Sequence, residues 1–387
     1  MSNILEEIRP DFSASLLAWF SIRYPELTNQ MKSCKHNYSD SDINSYHVED
    51  SVWTHTCMAL RTAEIMKMSS QIKIALLLHD IGKVFTRKEK EGTNKVHFNS
   101  HESVSYFMAG DILDTFSKES GILNSQEKSE ILFVIANHRL LFDNDLDIES
   151  DKFKNKIGKM DAYVYDLLSF ALCDSLGRFT TSPKGNSLTI ERYMELYKSC
   201  KPTYTSRISE AFSKNLIQDT KPTLTLMIGL PCAGKSHYVS RCRDFHNMET
   251  VILSRDVLIK QMGGSRNYDI AWQSVDHKAV DEELLRQFKA YVGAKKNIVL
   301  DMTNLSKKGR RKWLSLAPDY TKKAVMLYAG SNETYKRMMS RIELESKSVP
   351  VKVINNMMEQ FTYPLYDEFD HIYLVEHSNL PSIVLTK

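Results

Sequence analysis

The chain has 387 residues, 42% of them apolar, and sets 51 Lys and Arg against 48 Asp and Glu for a formal net charge of +3. That length exceeds one ordinary core and predicts at least two domains, while the near balance of charge excludes a global field drawing the protein onto nucleic acid or anionic lipid. No stretch approaches the ~20 apolar residues that span a bilayer, the start Met1-Ser-Asn-Ile-Leu-Glu-Glu lacks a basic segment before an apolar run, and six cysteines without a C-x-x-C pair predict a reducing, cytoplasmic setting with no membrane partner.

From about residue 50 to 200 apolar residues recur at three- and four-residue intervals, which predicts helices over Thr54–Met68, Gln71–His79, His101–Phe116, Gln126–Ala136 and Ala162–Ser175. The charged, glycine-containing segment Lys88–Lys95 reads as a solvated loop. On or at the ends of these helices stand His55, the adjacent His79-Asp80 followed by Ile81-Gly82-Lys83, His101, His138 and Asp174. A helical bundle can aim side chains from several helices at one interior point. Imidazole with carboxylate suits a divalent transition metal such as Mn2+, Ni2+, Co2+ or Zn2+, and such a metal favours hydrolysis of a phosphate ester. His79-Asp80 closes the apolar run Leu76-Leu77-Leu78, where an unpaired carboxylate would cost on the order of several kcal/mol. Lys83, as a catalytic cation, and Arg139 are candidates for a substrate phosphate. The isolated His36, His47 and His97 read as surface or capping residues.

Lys201–Lys221 carries two Lys-Pro pairs and polar filler, with Ser206–Leu216 as a possible helix inside it. This predicts a helical domain over 1–205, a linker over 206–222 and a second domain over 223–387. In the second domain Thr223–Gly229, Thr250–Leu253, Asn297–Leu300, Lys323–Tyr328 and His371–Val375 read as short strands separated by helices. Strand and helix in alternation imply a parallel sheet covered on both faces.

The first of these strands runs into Gly229-Leu230-Pro231-Cys232-Ala233-Gly234-Lys235-Ser236. A loop of this pattern between strand and helix wraps phosphates in backbone N–H groups, reaches the β/γ oxygens with its lysine and holds Mg2+ with its serine. Gly229, Cys232, Ala233, Gly234, Lys235 and Ser236 are therefore the candidate nucleotide contacts, with ATP and Mg2+ as the implied ligands. The strands that follow end in Ser254-Arg255-Asp256 and in Leu300-Asp301-Met302-Thr303-Asn304, at the carboxyl edge that faces the same crevice. Asp256 is placed to accept the proton of an attacking hydroxyl, and Arg255, Asp301, Thr303 and Asn304 are the candidate substrate contacts. Tyr335–Pro350 reads as helical and carries Arg337, Arg341 and Lys347, cations suited to stabilising charge on a transferring phosphoryl group. The run Lys307–Lys312 beside Trp313 is a second candidate for contact with a nucleic-acid backbone.

The His, His-Asp and distant Asp pattern resembles the HD superfamily of phosphohydrolases, and the resemblance implies metal ligation by His55, His79, Asp80 and Asp174, with His101 and His138 holding a second ion. The motifs from Gly229 to Ser348-Val349-Pro350 look like the kinase module of the polynucleotide 5′-kinases. Together they resemble the HD-type polynucleotide kinase-phosphatases, a multidomain pairing of an all-α HD domain with an α/β P-loop kinase domain. The resemblance implies ATP-dependent phosphorylation of 5′-hydroxyl ends of RNA or DNA, removal of 2′,3′-cyclic or terminal phosphates, and products fit for an RNA ligase. Two positions depart from it. Val257-Leu258-Ile259-Lys260 stands where an arginine follows the base, and no arginine lies close to Ser348-Val349-Pro350, which leaves Arg341 or Arg337 to serve. A nucleotidase fused to a nucleoside kinase, and an ATP-gated switch regulating an HD hydrolase, are the alternative readings.

Overall fold

Asp11 opens the first helix, its carboxylate accepting the Ala14 N–H at 3.0 Å. The computed structural model describes residues 11–37, 47–90, 95–141, 150, 153, 155–156, 162–180, 194, 221–242, 245–247, 249–328, 334, 336–341, 347, 349–376 and 383–385. Contacts within the chain divide it into two units, Met1–Lys154 with Met160–Phe212, and Asn155–Lys159 with Ser213–Lys387. The expected helix Ser206–Leu216, and the expected linker as far as residue 220, lie outside the described residues.

The first unit is helical: α1 (Phe12–Arg23), α2 (Pro25–Ser33), α3 (Val52–Ile65), α4 (Ser70–Leu78), the single turn α5 (Lys83–Thr86), α6 (His101–Ser120), α7 (Ser125–Asn137), a 3₁₀ turn over His138–Leu141, and α8 (Ala162–Leu176). Local chemistry fixes their starts. Ser51 caps α3 on the Thr54 N–H, Ser69 caps α4 on the Ile72 N–H, and Asn124 with Glu127 forms a reciprocal capping box at α7. Every residue of α4 from Ile72 to Leu78 is buried. A helix apolar on all sides belongs in the interior, and this one carries His79 and Asp80 inward at its end. Its one cation, Lys73, is held by Glu64 at 2.8 Å. The turn after Asp80 must be glycine: a Cβ on Gly82 would stand 2.4 Å from the His101 carbonyl oxygen and 2.7 Å from the Ser105 nitrogen.

Helices α1 and α2 precede residue 50, within the helical domain expected over 1–205. One feature of this unit differs from expectation: Lys88–Lys95 is not simply a loop. Its ends belong to an antiparallel pair, β1 (Lys88–Lys90) and β2 (Lys95–His97), with Glu89 opposite Val96. Backbone bonds hold this pair, and its lysines and glutamate give no apolar alternation for a strand prediction to detect.

The second unit is built on a six-stranded sheet in the order β4-β5-β3-β6-β7-β8, where β3 is Thr223–Ile228, β4 Thr250–Leu253, β5 Asn297–Leu300, β6 Thr321–Tyr328, β7 His371–Glu376 and β8 Ile383–Leu385. The first five are parallel, as expected. The sixth, β8, pairs antiparallel with β7. Helices α9 (Lys235–Arg241), α10 (Arg255–Met262), α11 (Tyr268–Ser274), α12 (His277–Gly293), α13 (Lys307–Leu314) and α14 (Val351–Gln360) complete the unit, and residues 336–341 are helical. Leu224, Leu226, Met227 and Ile228 of β3 are all buried between its neighbours. From β3 the chain runs to the rim at β4 and returns through β5, and β6 lies on the other side of β3. The crevice at the carboxyl end of β3 is thus a switch point, where α/β sheets bind ligands. Among the described residues no helix is long and apolar enough to cross a membrane.

Candidate metal centre and phosphate-loop pocket

In the first unit all six predicted ligands meet in the interior. His55, His79, Asp80, His101, His138 and Asp174 are each buried, and they form two triads, His55-His79-Asp174 and Asp80-His101-His138. Asp174 Oδ1 lies 2.7 Å from His55 Nε2 and 3.4 Å from His79 Nε2. Asp80 joins the triads: its Oδ2 is 3.1 Å from His79 Nε2 and its Oδ1 is 3.3 Å from His101 Nε2. His101 and His138 bring their Nε2 atoms to 3.1 Å from each other.

The imidazoles are aimed by their other nitrogens. Nδ1 of His79, His101 and His138 bonds the carbonyl oxygen three residues back, Leu76, Phe98 and Ile135, at 2.8–2.9 Å. A donor role at Nδ1 leaves Nε2 as a lone pair facing the centre, the tautomer a metal requires. Both Asp80 oxygens are buried without a well-aligned hydrogen bond, although Lys83 Nζ stands 2.7 Å away. A carboxylate so placed, among inward-facing imidazole nitrogens, fits a divalent metal. Against the upward push of burial, His79 and Lys83 hold the Asp80 carboxyl well below the usual range. Burial lowers the pKa of His79, but Asp80 and Asp174 outweigh it and lift the ring to about 10, so a metal at Nε2 has to displace the proton that these carboxylates otherwise favour. Arg139 is exposed and 4.0 Å from Glu102, outside this cluster.

In the second unit most of the predicted residues line a cavity of about 1060 Å³; Gly229 does not, its N–H donating instead to the Thr303 carbonyl at 3.1 Å. Gly234, at φ 95°, turns the loop into α9 in a conformation that favours glycine. Lys235 Nζ donates to the Gly229 and Leu230 carbonyls at 3.0 and 2.7 Å, and burial lowers its pKa to about 8 despite Asp301 and Asp256 nearby. Ser236 donates to Asp301 Oδ2 at 2.7 Å, which puts together a hydroxyl and a carboxylate suited to Mg2+. Asp256 faces them. It accepts a hydrogen bond from the Tyr268 hydroxyl at 2.9 Å and an ion-pair contact from Lys347, and although burial pushes its pKa up, Lys347 and Tyr268 bring it below the usual value. Arg337 donates to the Cys232 carbonyl at 3.3 Å, and Arg341 lies 4.0 Å from Cys232 Sγ, so both reach the loop. Arg255 and Thr303 also line the cavity.

Three sequence readings are corrected here. Asn304 is buried and its amide donates to the Met227 and Leu300 carbonyls; it braces β3 against β5 and does not line the cavity. Ala233 packs into the core and donates its N–H to Leu230, so it offers the nucleotide no side chain and no free N–H. The basic run over α13 is not a continuous cationic face. Arg310 is fully buried on Glu368 at 2.7 Å, and Trp313 is buried against Phe288.

A family model described as HD domain matches residues 52–168, and one described as AAA domain matches residues 224–364. An HD domain and an AAA domain share this chain. Among curated proteins, heterogeneous nuclear ribonucleoprotein U-like protein 2 of Mus musculus and that of Homo sapiens are each 24% identical over 166 residues, 41% of this chain and 22% of theirs. The chain thus spans about a fifth of the length of these relatives. A solved structure titled the Pnkp1/Rnl/Hen1 RNA repair complex aligns with a TM-score of 0.31 at 20% identity, over 38% of this chain and 46% of that one.

The HD domain holds an outer layer that the sequence did not disclose. His36, expected at the surface, is buried, and His47 stacks on it with ring centroids 4.2 Å apart. Glu49 accepts from His47 Nδ1 at 2.7 Å and lies 3.2 Å from His55 Nδ1 without a well-aligned hydrogen bond, so it sets a carboxylate charge beside one of the centre's imidazoles. In the AAA domain, Tyr268 and Lys347 prove to be the partners of Asp256. A lysine on the segment before Pro350 was visible as a cation, but nothing in its spacing named the carboxylate it meets.

Proposed function

We propose that the chain heals broken polynucleotide ends. The AAA domain transfers the γ-phosphate of ATP to a 5′-hydroxyl, and the HD domain hydrolyses a 2′,3′-cyclic or terminal 2′ or 3′ phosphate, leaving RNA or DNA termini ready for a ligase. Domain boundaries of 1–205 and 223–387 about a 206–222 linker accompany this reading, as does a reducing, cytoplasmic setting, which the free thiols Cys34, Cys57, Cys173, Cys232 and Cys242 support.

The observation that carries it is Asp256. A carboxylate facing Lys235 and Ser236 across a cavity, rather than a closed wall, gives the loop an acceptor side. Lys235 takes the β/γ oxygens, Ser236 and Asp301 are the pair that would hold Mg2+, Asp256 receives the proton of the attacking hydroxyl, and Arg337 and Arg341 meet charge that develops on the phosphoryl oxygens. In the HD domain the six buried ligands would hold Mn2+, Ni2+, Co2+ or Zn2+, which supplies Lewis acidity toward a phosphoryl oxygen. Lys83, beside Asp80, offers the substrate phosphate a cation.

The test is an RNA with a 5′-hydroxyl and a 2′,3′-cyclic phosphate, incubated with Mg-ATP and a transition metal, with both ends read. Lys235→Ala should lose 5′ phosphorylation and keep phosphate removal, and Asp80→Ala should do the reverse. Loss of both activities from either folded variant would sink the two-site reading. Preference for free nucleosides would establish a small-molecule kinase instead, and ATP hydrolysis without a phosphorylated acceptor a switch.

A further inference from the structure

Trp272 is among the large apolar side chains that the second unit leaves in the open. It sits on α11, 43% exposed, and with Asp269 and Gln273 of the same helix it lines the cavity that holds Asp256 and the phosphate loop. An indole on a cavity wall is a costly thing to leave wet, and this one is held in place. The Arg255 guanidinium lies over it at 5.4 Å from the ring centroid, the His277 ring is 4.2 Å away at 49°, and the Tyr268 ring is 5.9 Å away at 36°. Arg255 is itself fixed by Asp281 at 2.7 Å. Asn267 starts the helix by accepting the Ile270 N–H. A ring fixed before anything binds loses little rotamer freedom when a flat ligand stacks on it.

The position of Trp272 selects the ligand. Tyr268 links the two sites: its hydroxyl donates to Asp256 and its ring neighbours Trp272. Trp272 therefore stands one aromatic ring away from the carboxylate that receives the acceptor's proton. It shares Tyr268 with Asp256, whereas the contacts of Arg337 and Arg341 are with Cys232 of the phosphate loop. The neighbouring Arg255 adds a cation suited to the phosphate that follows the first nucleoside.

From this we infer that Trp272 is the stacking platform for the 5′-terminal nucleobase of the acceptor strand, a subsite that makes the kinase read a nucleotide and not merely a hydroxyl. This rests on the reading of the AAA domain as a 5′-hydroxyl kinase. Stacking of a base on an aromatic side chain is sequence-tolerant, since every base has a flat face. All four terminal bases should then be accepted, and a terminus without a base should be a poor substrate.

The experiment compares two single strands with the full-length chain: one with a normal 5′-terminal nucleotide and a 5′-hydroxyl, and one whose 5′-terminal residue is an abasic tetrahydrofuran carrying the same hydroxyl. Trp272→Ala should raise KM for the normal strand roughly 5- to 150-fold, the range expected for one lost base stack. It should leave KM for the abasic strand and KM for ATP unchanged, and Trp272→Phe should recover most of the loss. Equal losses on both strands would overturn the platform and make Trp272 a packing residue. A raised KM for ATP would make it an adenine contact and overturn it too. If the unaltered chain phosphorylates neither strand, the kinase reading itself fails and the inference falls with it, an outcome distinct from a working kinase that is indifferent to Trp272.

Discussion

Asp174 and His55 are 119 residues apart in sequence, and their side chains meet at 2.7 Å in the interior of the HD domain. Each hangs on a different helix, α8 and α3, and neither helix has a reason to bring a charged atom there except to complete the cluster. The contact is therefore a measure of how completely the domain is organised around its centre.

The outer carboxylate should matter to that centre. Glu49→Gln keeps the shape and removes the charge facing His55 Nδ1. Metal affinity of the full-length chain, titrated with Mn2+ or Zn2+, should fall about 10- to 100-fold, as expected when a carboxylate partner of a ligand is lost. Kinase activity should be unchanged. Unaltered metal affinity would show that His55 needs no such support.

Nucleotide binding should be coupled to protons. The Lys235 pKa is lowered to about 8 by burial, and bound phosphates favour its charged form and so raise it. Below about pH 8 the lysine is already protonated and affinity should be flat. Above it, binding must take up a proton, and affinity for Mg-ATP should weaken as pH rises, by at most about tenfold per pH unit. Calorimetry at pH 9 in two buffers of different ionisation enthalpy should register the uptake, and Lys235→Arg, with a guanidinium that stays charged, should abolish it.

Lys347 should set the acidic limit of phosphorylation. It is the leading influence that lowers the Asp256 pKa against burial. Lys347→Ala should therefore raise that pKa and move the acid limb of the kcat profile to higher pH, since the base must be deprotonated to act. Lys347→Arg should restore most of the original limb. A simple drop in rate at every pH, with the limb unmoved, would show that Lys347 acts on the phosphoryl group and not on the base.

Arg310 should be a residue of stability. Its guanidinium is fully buried and bound to Glu368 and to the backbone carbonyls of Asn304, Leu305 and Thr362. Glu368→Ala leaves that charge without its partner, at a cost of about 3–5 kcal/mol. In urea, the unfolding transition that ATP shifts upward should move to lower denaturant, while affinity for an oligonucleotide, measured below that transition, should hold. Lost oligonucleotide affinity in the folded variant would return α13 to the binding surface.

What could be read in the sequence was what repeats or what breaks a rule. The apolar run Leu76-Leu77-Leu78 made His79-Asp80 conspicuous, because charge at the end of a buried helix needs a partner, and the five parallel strands carry β-branched and apolar runs that announce themselves. The rest depends on partners far apart in the chain. His36 and His47 look like lone surface histidines, and only the fold stacks them. Within Lys307–Lys312 every side chain is a cation, and only packing decides that Arg310 turns inward to an acid 58 residues away. The three-residue strands β1, β2 and β8 are too short to show a period. Lys347 and Tyr268 became partners of Asp256 by tertiary placement alone.

The strand order has a consequence for how such a domain can diversify. Lys235 follows β3, which has parallel neighbours on both sides, whereas Asp256 and the helix bearing Tyr268 and Trp272 follow β4 at the rim of the sheet. On the kinase reading proposed above, the grip on the phosphate donor would be anchored in the middle of the architecture, and the choice of recipient would hang from its border. On that reading, mutations at the border would change what receives the phosphoryl group and leave the phosphate loop as it is.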